Sequence, residues 1–457
     1  MLVVFGAPAA RARSTPLGSA VALLALLAAA SCGASASPTH AAEAPPGNRL
    51  ELGFEERVRS ENWDNVADFS AKSDDARHQW RFRTRLWAKC DLGSKAGLML
   101  GLNNESRRVT HPVTDFLPDE TIFETLYLDY RFADDVHVKV GRQNITKGDG
   151  LLVFDATPLD GTRTQYFNAV DLSYAAGRTR FDLYAISDPH RDRYLPRFDD
   201  KQKPLIESHE RALALYCTDG RLAKTTLDAY YVFKTETGDT RPLSNVARLP
   251  DRALHTLGGR AVWQPGRGWE AKAELAGQLG VQQPAADILA WGGTASVKRT
   301  LEHAAWKPAF LLGWIGLSGD DPSTVAYEGW DPLFARWPKW SEMLVYTLGA
   351  EKGPAYWTNL SLGQAEVQVA PASLVTIRAS YCRLGAFHGF PGRTSMFAAG
   401  THRGDYLRLR AEFKANDSWQ GHVVGEHLKP GDFYAGRDPG WFFRVEMIYS
   451  FRKTFRP

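Results

Sequence analysis

Three arginines within one short segment are the residues of this sequence best placed to recognise a ligand. Arg81, Arg83 and Arg85 alternate with apolar or small residues in the run WRFRTRL. Because alternate side chains of an extended strand point to opposite faces, this spacing places the three guanidinium groups in one row. A guanidinium group matches a carboxylate in planar, bidentate geometry. The spacing therefore indicates binding of an anion, with uronate or another organic anion as the natural solute.

The elements that must position this row repeat one pattern along the chain. In Trp269–Leu279 the residues Ala271, Leu275 and Leu279 fall on one face, whereas Lys272, Glu274 and Gln278 fall on the other. About 18 segments of about ten residues show the same alternation, and about ten residues is the length that a tilted strand needs to cross a membrane. A soluble β-sandwich would show similar alternation, since it buries one face of each sheet against the other sheet.

The connections between the predicted strands alternate between short and long, which separates these two fold classes. The short ones span residues 91–95, 133–135, 175–177, 219–223, 264–268, 300–306, 370–372 and 415–417. The long ones span residues 61–77, 108–121, 147–163, 189–207, 235–252, 318–355, 385–404 and 429–440, with 280–286 as the shortest of this set. Short turns at one end and long loops at the other are typical of outer-membrane barrels. We therefore predict an all-β, transmembrane antiparallel β-barrel of about 18 strands, with short periplasmic turns and long extracellular loops.

Within such a barrel, the strand alternation predicts which charged residues face the lumen. The first and last strands are neighbours, so most of the predicted arginines collect on one side of the lumen. We predict a lumen path formed by Arg57, Arg59, Arg81, Arg83, Arg85, Glu105, Asp129, Arg260, Lys272, Glu274, Arg378, Arg408, Arg410 and Arg444. The arginines fit a solute path and a structural ladder equally well, since unpaired buried cations are costly in either case. For the carboxylates, bracing through cross-strand pairs is favoured over a role in keeping the affinity for anions low.

The N-terminus reads as an export signal followed by a single domain. Two arginines precede an apolar run at residues 20–30, and Ala34-Ser35-Ala36 matches a signal-peptidase site. We predict a signal peptide at residues 1–36, with cleavage possible as late as residue 41, a flexible lead-in at 37–48 and one barrel at 49–457. Cys32 leaves a lipoprotein alternative open. Together with the predicted barrel, this signal predicts the outer membrane of a Gram-negative cell as the location of the protein.

The last predicted strand indicates how the barrel is assembled. Its aromatic and apolar face runs from Trp441 to Phe451, and RKTFRP follows. An aromatic residue near the end of the last strand marks a protein for the barrel-assembly machinery. We therefore expect that machinery and outer-membrane lipid as partners.

Composition excludes several other classes of protein. A net charge of +3 gives no support for nucleic-acid binding. The cysteines are scattered without metal-ligand spacing, and we predict no cofactor and no metal. A hydrolase built on the barrel wall is an alternative, and His422 and Glu426 share one face of a strand. No serine at a nucleophile elbow accompanies them, so we predict that the protein is not an enzyme.

Several motifs, in order along the chain, resemble the alginate-export family of outer-membrane proteins. They are Gly141-Arg142-Gln143 with Gly148-Asp149-Gly150, Phe167-Asn168-Ala169-Val170-Asp171, Glu274–Gly280 (ELAGQLG), Leu317–Asp320 (LSGD) with Asp331–Phe334 (DPLF), and Pro430–Tyr434 (PGDFY). The resemblance implies an 18-stranded barrel and outward passage of an acidic polysaccharide. Together with the arginines, it predicts a channel for anionic saccharides, alginate-like polyuronate above all, or related organic anions. A general or small-anion porin is the main alternative.

Two local features leave alternatives that only a structure can decide. Alternation places Arg142 on the lipid face, so it faces inward only if a bulge near Gly141 resets the register, and otherwise lies at the rim. The longest loop, residues 318–355, reads as an ordinary extracellular loop, although Trp330, Trp337 and Trp340 suggest that it folds over the mouth.

Overall fold

The computed structural model of the chain describes residues 48–155, 166–196, 198, 208–238, 250–284, 286–335, 338–345, 347, 351, 357–390 and 396–456, of which residues 119 and 120 are described by their backbone alone. The predicted signal peptide and nearly all of the predicted lead-in lie outside these residues. Within them, no helix has both the length and the apolar character needed to cross a membrane.

In the described part of the chain, eighteen antiparallel strands form one closed barrel, because β1 pairs with both β2 and β18. The strands are β1 (Arg49–Asp64), β2 (Arg77–Leu92), β3 (Ala96–His111), β4 (Asp115–Ala133), β5 (Val136–Gln143), β6 (Phe167–Ala176), β7 (Thr179–Asp188), β8 (Ser208–Asp219), β9 (Thr225–Gly238), β10 (Arg252–Gly266), β11 (Trp269–Gln282), β12 (Ala286–Thr300), β13 (Ala309–Leu317), β14 (Leu360–Ala372), β15 (Val375–Gly385), β16 (His402–Lys414), β17 (Trp419–Pro430) and β18 (Gly440–Phe455). The predicted fold class and strand number are confirmed.

The faces of the strands follow the period-two pattern of the sequence. On β11, Leu275 is 65% exposed on the outside, whereas Ala276 and Gln278 are each 1% exposed on the inside. Outward leucine and inward polar side chains reverse the usual arrangement of a soluble protein and match a barrel surrounded by lipid.

Short turns at one end of the barrel and longer connections at the other also agree with the prediction, with two exceptions. Residues 280–286, predicted as the shortest of the long set, leave only residues 283–285 between β11 and β12. Residues 108–121 do not form a long loop, because β3 extends to His111 and β4 begins at Asp115. The first four strands are 16, 16, 16 and 19 residues long, well beyond the predicted ten. The prediction was wrong here because Pro118 interrupts the alternation that marks a strand, yet it pairs with Ser106 at a register shift.

Exposed aromatic side chains surround the outside of the barrel near both ends. The group near the turns is Trp263, Trp269, Trp306, Phe310 and Trp419, and the group near the loops is Trp80, Trp291, Trp314, Trp441 and Phe443. Two such girdles are the usual arrangement where a barrel meets the two membrane interfaces. The last strand extends four residues past Phe451, so that Phe455 lies opposite Leu50 of β1.

Two connecting segments fold into the barrel and fill part of its lumen. We call residues 147–155, which follow β5, the inner loop, and the described residues among 330–345, which follow β13, the strap. Phe154 of the inner loop stacks on Phe334 of the strap with ring centroids 5.4 Å apart. Phe167 of β6 and Tyr184 of β7 surround this pair, and all four rings are buried. The lumen therefore holds a small hydrophobic core of its own beside the β6 and β7 wall.

Candidate functional site

The arginines of β1 and β2 form a buried ion-pair network rather than an open row. Arg57, Arg59 and Arg83 are each exposed by 1% or less. Arg57 binds Glu105 of β3 at 2.9 Å, and Arg83 binds Glu55 of β1 at 2.7 Å. Each of these inward guanidinium groups is therefore buried and paired in the wall.

The same network closes the barrel between its first and last strands. Arg59 pairs with Glu446 of β18, and Arg444 of β18 binds Glu61 of β1 at 2.8 Å. Arg81 links Glu61 and Glu105 at 3.3 and 2.7 Å. The arginines that alternation predicts near the closure are thus brought together, with carboxylates interleaved between them.

A second group of inward arginines faces open space. A cavity of about 460 Å³ lies against β14 to β18 and β1. The side chains of Arg378 on β15 and Arg410 on β16 are 35% and 21% exposed there. Both bind Glu412 at 2.8 Å, so they are paired but accessible. Arg85, 20% exposed, binds Glu124 of β4 at 2.7 Å.

The charges around this cavity balance. Among the described residues that line it are five cations and five carboxylates. They are Arg59, Lys339, Arg378, Arg408 and Arg410, and Asp149, Glu342, Glu366, Glu412 and Glu446. Such a lining offers anion-binding groups without a strong net field, which allows a solute to bind and to leave.

The opposite wall carries the other predicted residues, and here the inner loop supplies the counter-charge. Asp149 binds Arg260 of β10 at 3.0 Å and Lys272 of β11 at 3.2 Å. Gly148 and Gly150 on either side of Asp149 have φ of +58° and +66°, left-handed values that glycine adopts without strain. The Gly-Asp-Gly sequence is therefore suited to presenting this carboxylate at the tip of a tight turn.

Two further predicted residues lie outside both arginine groups. Glu274 accepts a hydrogen bond of 2.8 Å from the hydroxyl of Tyr230 and is 7% exposed, so it faces another buried side chain. Asp129 lies near the turn end, half-exposed, 3.5 Å from His137.

One end of the strap is fixed to β9, β10 and β11 through Asp331. Its carboxylate binds Arg252 at 2.8 Å and lies 3.7 Å from the ammonium group of Lys234. Its backbone exchanges two hydrogen bonds with the side chain of Gln278, at 2.8 and 2.9 Å. Lys234 also donates to the carbonyl oxygen of Leu333 at 3.1 Å. All these groups are buried, so this end is firmly anchored.

The other end of the strap is fixed to β16, β17 and β18. The buried carboxylate of Glu426 accepts hydrogen bonds from the backbone N–H groups of Glu342 and Met343, at 3.0 and 2.8 Å, and from the Ser341 hydroxyl at 3.1 Å. Since β10 and β17 are far apart in the strand order, the strap crosses the lumen. The longest loop therefore folds into the barrel, with Trp330 and Trp340 buried, while Trp337 lies outside the described residues.

The side chain of Glu342 points from the strap to the arginine wall. Its carboxylate lies 2.9 Å from Arg444, 3.8 Å from Arg408 and 3.9 Å from Arg410. Burial opposes ionisation of this carboxyl, but the surrounding guanidinium groups, of which Arg444 and Arg408 act most strongly, together outweigh it and lower its pKa to about 2. Glu342 is thus held as a carboxylate among three arginines.

Sequence reasoning did not identify the strap and inner-loop residues as part of the site. Loops show no periodicity from which an inward path could be read. Two signals were available for Asp149 and Glu342: the glycines beside Asp149, and the tryptophans close to Glu342, which suit a loop that packs against protein.

Arg142 takes the rim position, the second of the two alternatives. The pairing of β5 with β6 continues without a register shift, and Arg142 lies opposite Asn168. Its guanidinium group binds Asp192 at 2.7 Å and the Phe123 carbonyl oxygen at 2.9 Å. Gly141 has φ of +127°, and Arg142 is 1% exposed among these partners.

The hydrolase alternative gains no support from the two strand residues that suggested it. His422 lies 3.2 Å from Glu446, within the ion-pair network. Glu426 holds the strap backbone instead of orienting His422. Both groups therefore have structural partners.

Comparison with known proteins gives one family and a set of similar folds. The sequence profile of the family described as alginate export matches residues 48–441. A search of curated protein sequences found no match.

Solved structures with the same fold include three outer-membrane proteins of Pseudomonas aeruginosa. OccK5 (OpdH) is 14% identical over 88% of this chain and 98% of its own, with a TM-score of 0.53. OprD is 12% identical over 88% and 94%, with a TM-score of 0.53. OpdK is 11% identical over 88% and 99%, with a TM-score of 0.54. At these identities the likeness concerns the fold alone.

Proposed function

Since the chain belongs to the alginate-export family and forms an outer-membrane barrel channel for solutes, we propose that its solutes are anionic saccharides of the polyuronate class or related organic anions. The observation that carries this proposal is the pair of accessible arginines, Arg378 and Arg410, in the lumen cavity. Guanidinium groups in a cavity of this kind bind carboxylates in planar geometry.

The balanced charge of the cavity suits passage rather than tight capture. Each accessible arginine already has a carboxylate partner, so a solute carboxylate exchanges one ion pair for another. Exchange of this kind keeps the affinity low and lets a chain of uronate units move from site to site. The same balance suits a general or small-anion porin, which is the alternative that the experiment must separate.

The test is conductance of the purified protein in a planar lipid bilayer. In a potassium chloride gradient we expect a reversal potential that indicates preference for chloride. We also expect block by oligouronate at concentrations where a neutral oligosaccharide of equal length has no effect. Absence of conductance, or preference for cations, would contradict the proposal. Anion preference without selective oligouronate block would favour the small-anion porin.

Paired variants identify the residues responsible. Arg378→Gln with Arg410→Gln removes both accessible cations, and we expect the chloride preference to fall and block by oligouronate to weaken. Arg211→Gln, which removes one positive charge, is the control for each single variant of the pair, because Arg211 is exposed on the outer face of β8, between inward-facing Glu210 and Ala212. Equal effects of the lumen pair and of the outer-face control would contradict the assignment.

We also propose which residue of the last strand directs assembly of the barrel. Phe455, rather than Phe451, is the last aromatic residue of β18, and we expect the barrel-assembly machinery to recognise this end of the strand.

A further inference from the structure

Three arginines from two strands converge on a carboxylate that does not belong to the barrel wall. Arg408 and Arg410 lie on β16 and Arg444 lies on β18, and all three face Glu342 of the strap. The nearest contact, to Arg444, is 2.9 Å, and the other two are 3.8 and 3.9 Å. Carboxylates of the strands themselves can neutralise the arginines of the wall, as Glu412 does beside Arg410. Neutralisation alone therefore does not require a carboxylate from the strap.

The backbone of the strap is held independently of the Glu342 side chain. Glu426 accepts the N–H groups of Glu342 and Met343, and Tyr406 donates to the carbonyl oxygen of Trp340 at 3.2 Å. The strap therefore has anchors that stay in place when the Glu342 carboxylate rotates away. Rotation of one side chain vacates the position between the three arginines, of which Arg408 and Arg410 line the cavity, without movement of the barrel.

The site has the dimensions and the chemistry for a carboxylate on a sugar ring. The adjoining cavity of about 460 Å³ lies within the range of roughly 300–1,000 Å³ typical of small-molecule pockets. We propose that Arg408, Arg410 and Arg444 form a binding site for a carboxylate of the transported solute, and that Glu342 occupies this site as a tethered stand-in when the solute is absent. This inference rests on the proposed function, because it assigns the solute carboxylate a place in the same lumen.

A tethered competitor has a measurable consequence for affinity. The solute binds only while Glu342 is away from the arginines, so its apparent affinity is reduced by the fraction of time that the site is free. Removing the charge of Glu342 raises that fraction. Replacing another carboxylate of the cavity changes the local charge by the same amount but vacates no arginine.

The experiment compares Glu342→Gln with Glu366→Gln in planar bilayers. Glu366 lines the same cavity, and its carboxylate accepts a hydrogen bond of 2.7 Å from Ser380. Sodium glucuronate serves as the anionic probe and glucose as the neutral one. For Glu342→Gln we expect the half-blocking concentration of glucuronate to fall by about tenfold, the change for a site that is free about one-tenth of the time. For Glu366→Gln we expect a change below about twofold with a similar shift in reversal potential, and for glucose no change in either variant.

Each outcome bears on one inference or both. If both variants alter glucuronate block equally, Glu342 acts only as one more charge, and the proposed site is overturned while the anion channel stands. If Glu342→Gln leaves block unchanged, the site is likewise overturned. If the wild-type protein shows no conductance or prefers cations, the proposed function fails, and this inference fails with it. Migration of each folded variant on unheated gels like the wild type shows that the barrel is intact.

Discussion

Two groups of arginines on the same side of the lumen share one residue type and one strand alternation but differ in setting. Arg57 and Arg83 are buried among carboxylates of neighbouring strands. Arg378 and Arg410 bind Glu412 beside open space. A buried charge that loses its partner is strongly destabilising, whereas an accessible pair contributes little. The first group therefore braces the barrel closure, and the second is available to a solute.

The largest expected effect tests the bracing role. Arg57→Gln removes a fully buried guanidinium group and weakens the pairing of Glu105, which we expect to lower the free energy of unfolding by about 3–5 kcal/mol. Arg378→Gln removes an accessible partner of Glu412 and should cost only about 0–1 kcal/mol. Urea unfolding of the barrel in lipid vesicles, followed by tryptophan fluorescence, measures both. Equal losses would show that burial does not separate the two groups.

The two ends of the strap show the same contrast between a buried and an accessible charged group. Asp331 lies in a buried network with Arg252 and Lys234, whereas Glu342 faces the cavity. Asp331→Asn leaves a buried charge cluster short of one anion, an expected cost of about 1–3 kcal/mol. We expect the strap to loosen and single-channel records to show more frequent conductance steps.

The control for this change lies in the same connection between β13 and β14. Asp321 is partly exposed, and its carboxylate accepts hydrogen bonds from Ser323 within its own turn. Asp321→Asn should leave the single-channel records like the wild type. Noise that rises equally in both variants would place the effect in the loop as a whole rather than in the buried anchor.

The barrel fold could be predicted from the sequence because each strand shows the alternation of apolar and polar residues that a membrane barrel requires. Leu275 outside and Gln278 inside follow directly from period two. Alternation also indicates that Arg57 and Arg378 both point inward. Alternation does not indicate which of the two side chains is buried. Burial of Arg57 depends on the pairing of β1 with β18 and on the carboxylates of β3 and β18 that lie beside it.

The inward path of the strap could not be predicted from the sequence, for a different reason. A loop has no repeating pattern, and its course is set by contacts with residues distant in the chain. Asp331 meets Lys234, and Glu342 meets Arg444, across separations that no local signal records. The strand wall is therefore the part of the site that can be predicted from the sequence. The strap, which crosses the lumen, is the part that cannot.

The smallest expected effect concerns pH and tests whether Glu342 remains charged at the site. Because its pKa is lowered to about 2, its carboxylate stays ionised well above that value and is lost only as the pH falls toward it. The difference in glucuronate block between wild type and Glu342→Gln should therefore be constant from about pH 5 to about pH 8. The charged groups facing Glu342 are Arg408 and Arg410 of β16, Glu426 of β17, Arg444 of β18 and Arg59 of β1. A difference that disappears as the pH falls to about 5 would show that these arginines do not hold Glu342 in its charged form, which would contradict its role as a stand-in for a solute carboxylate.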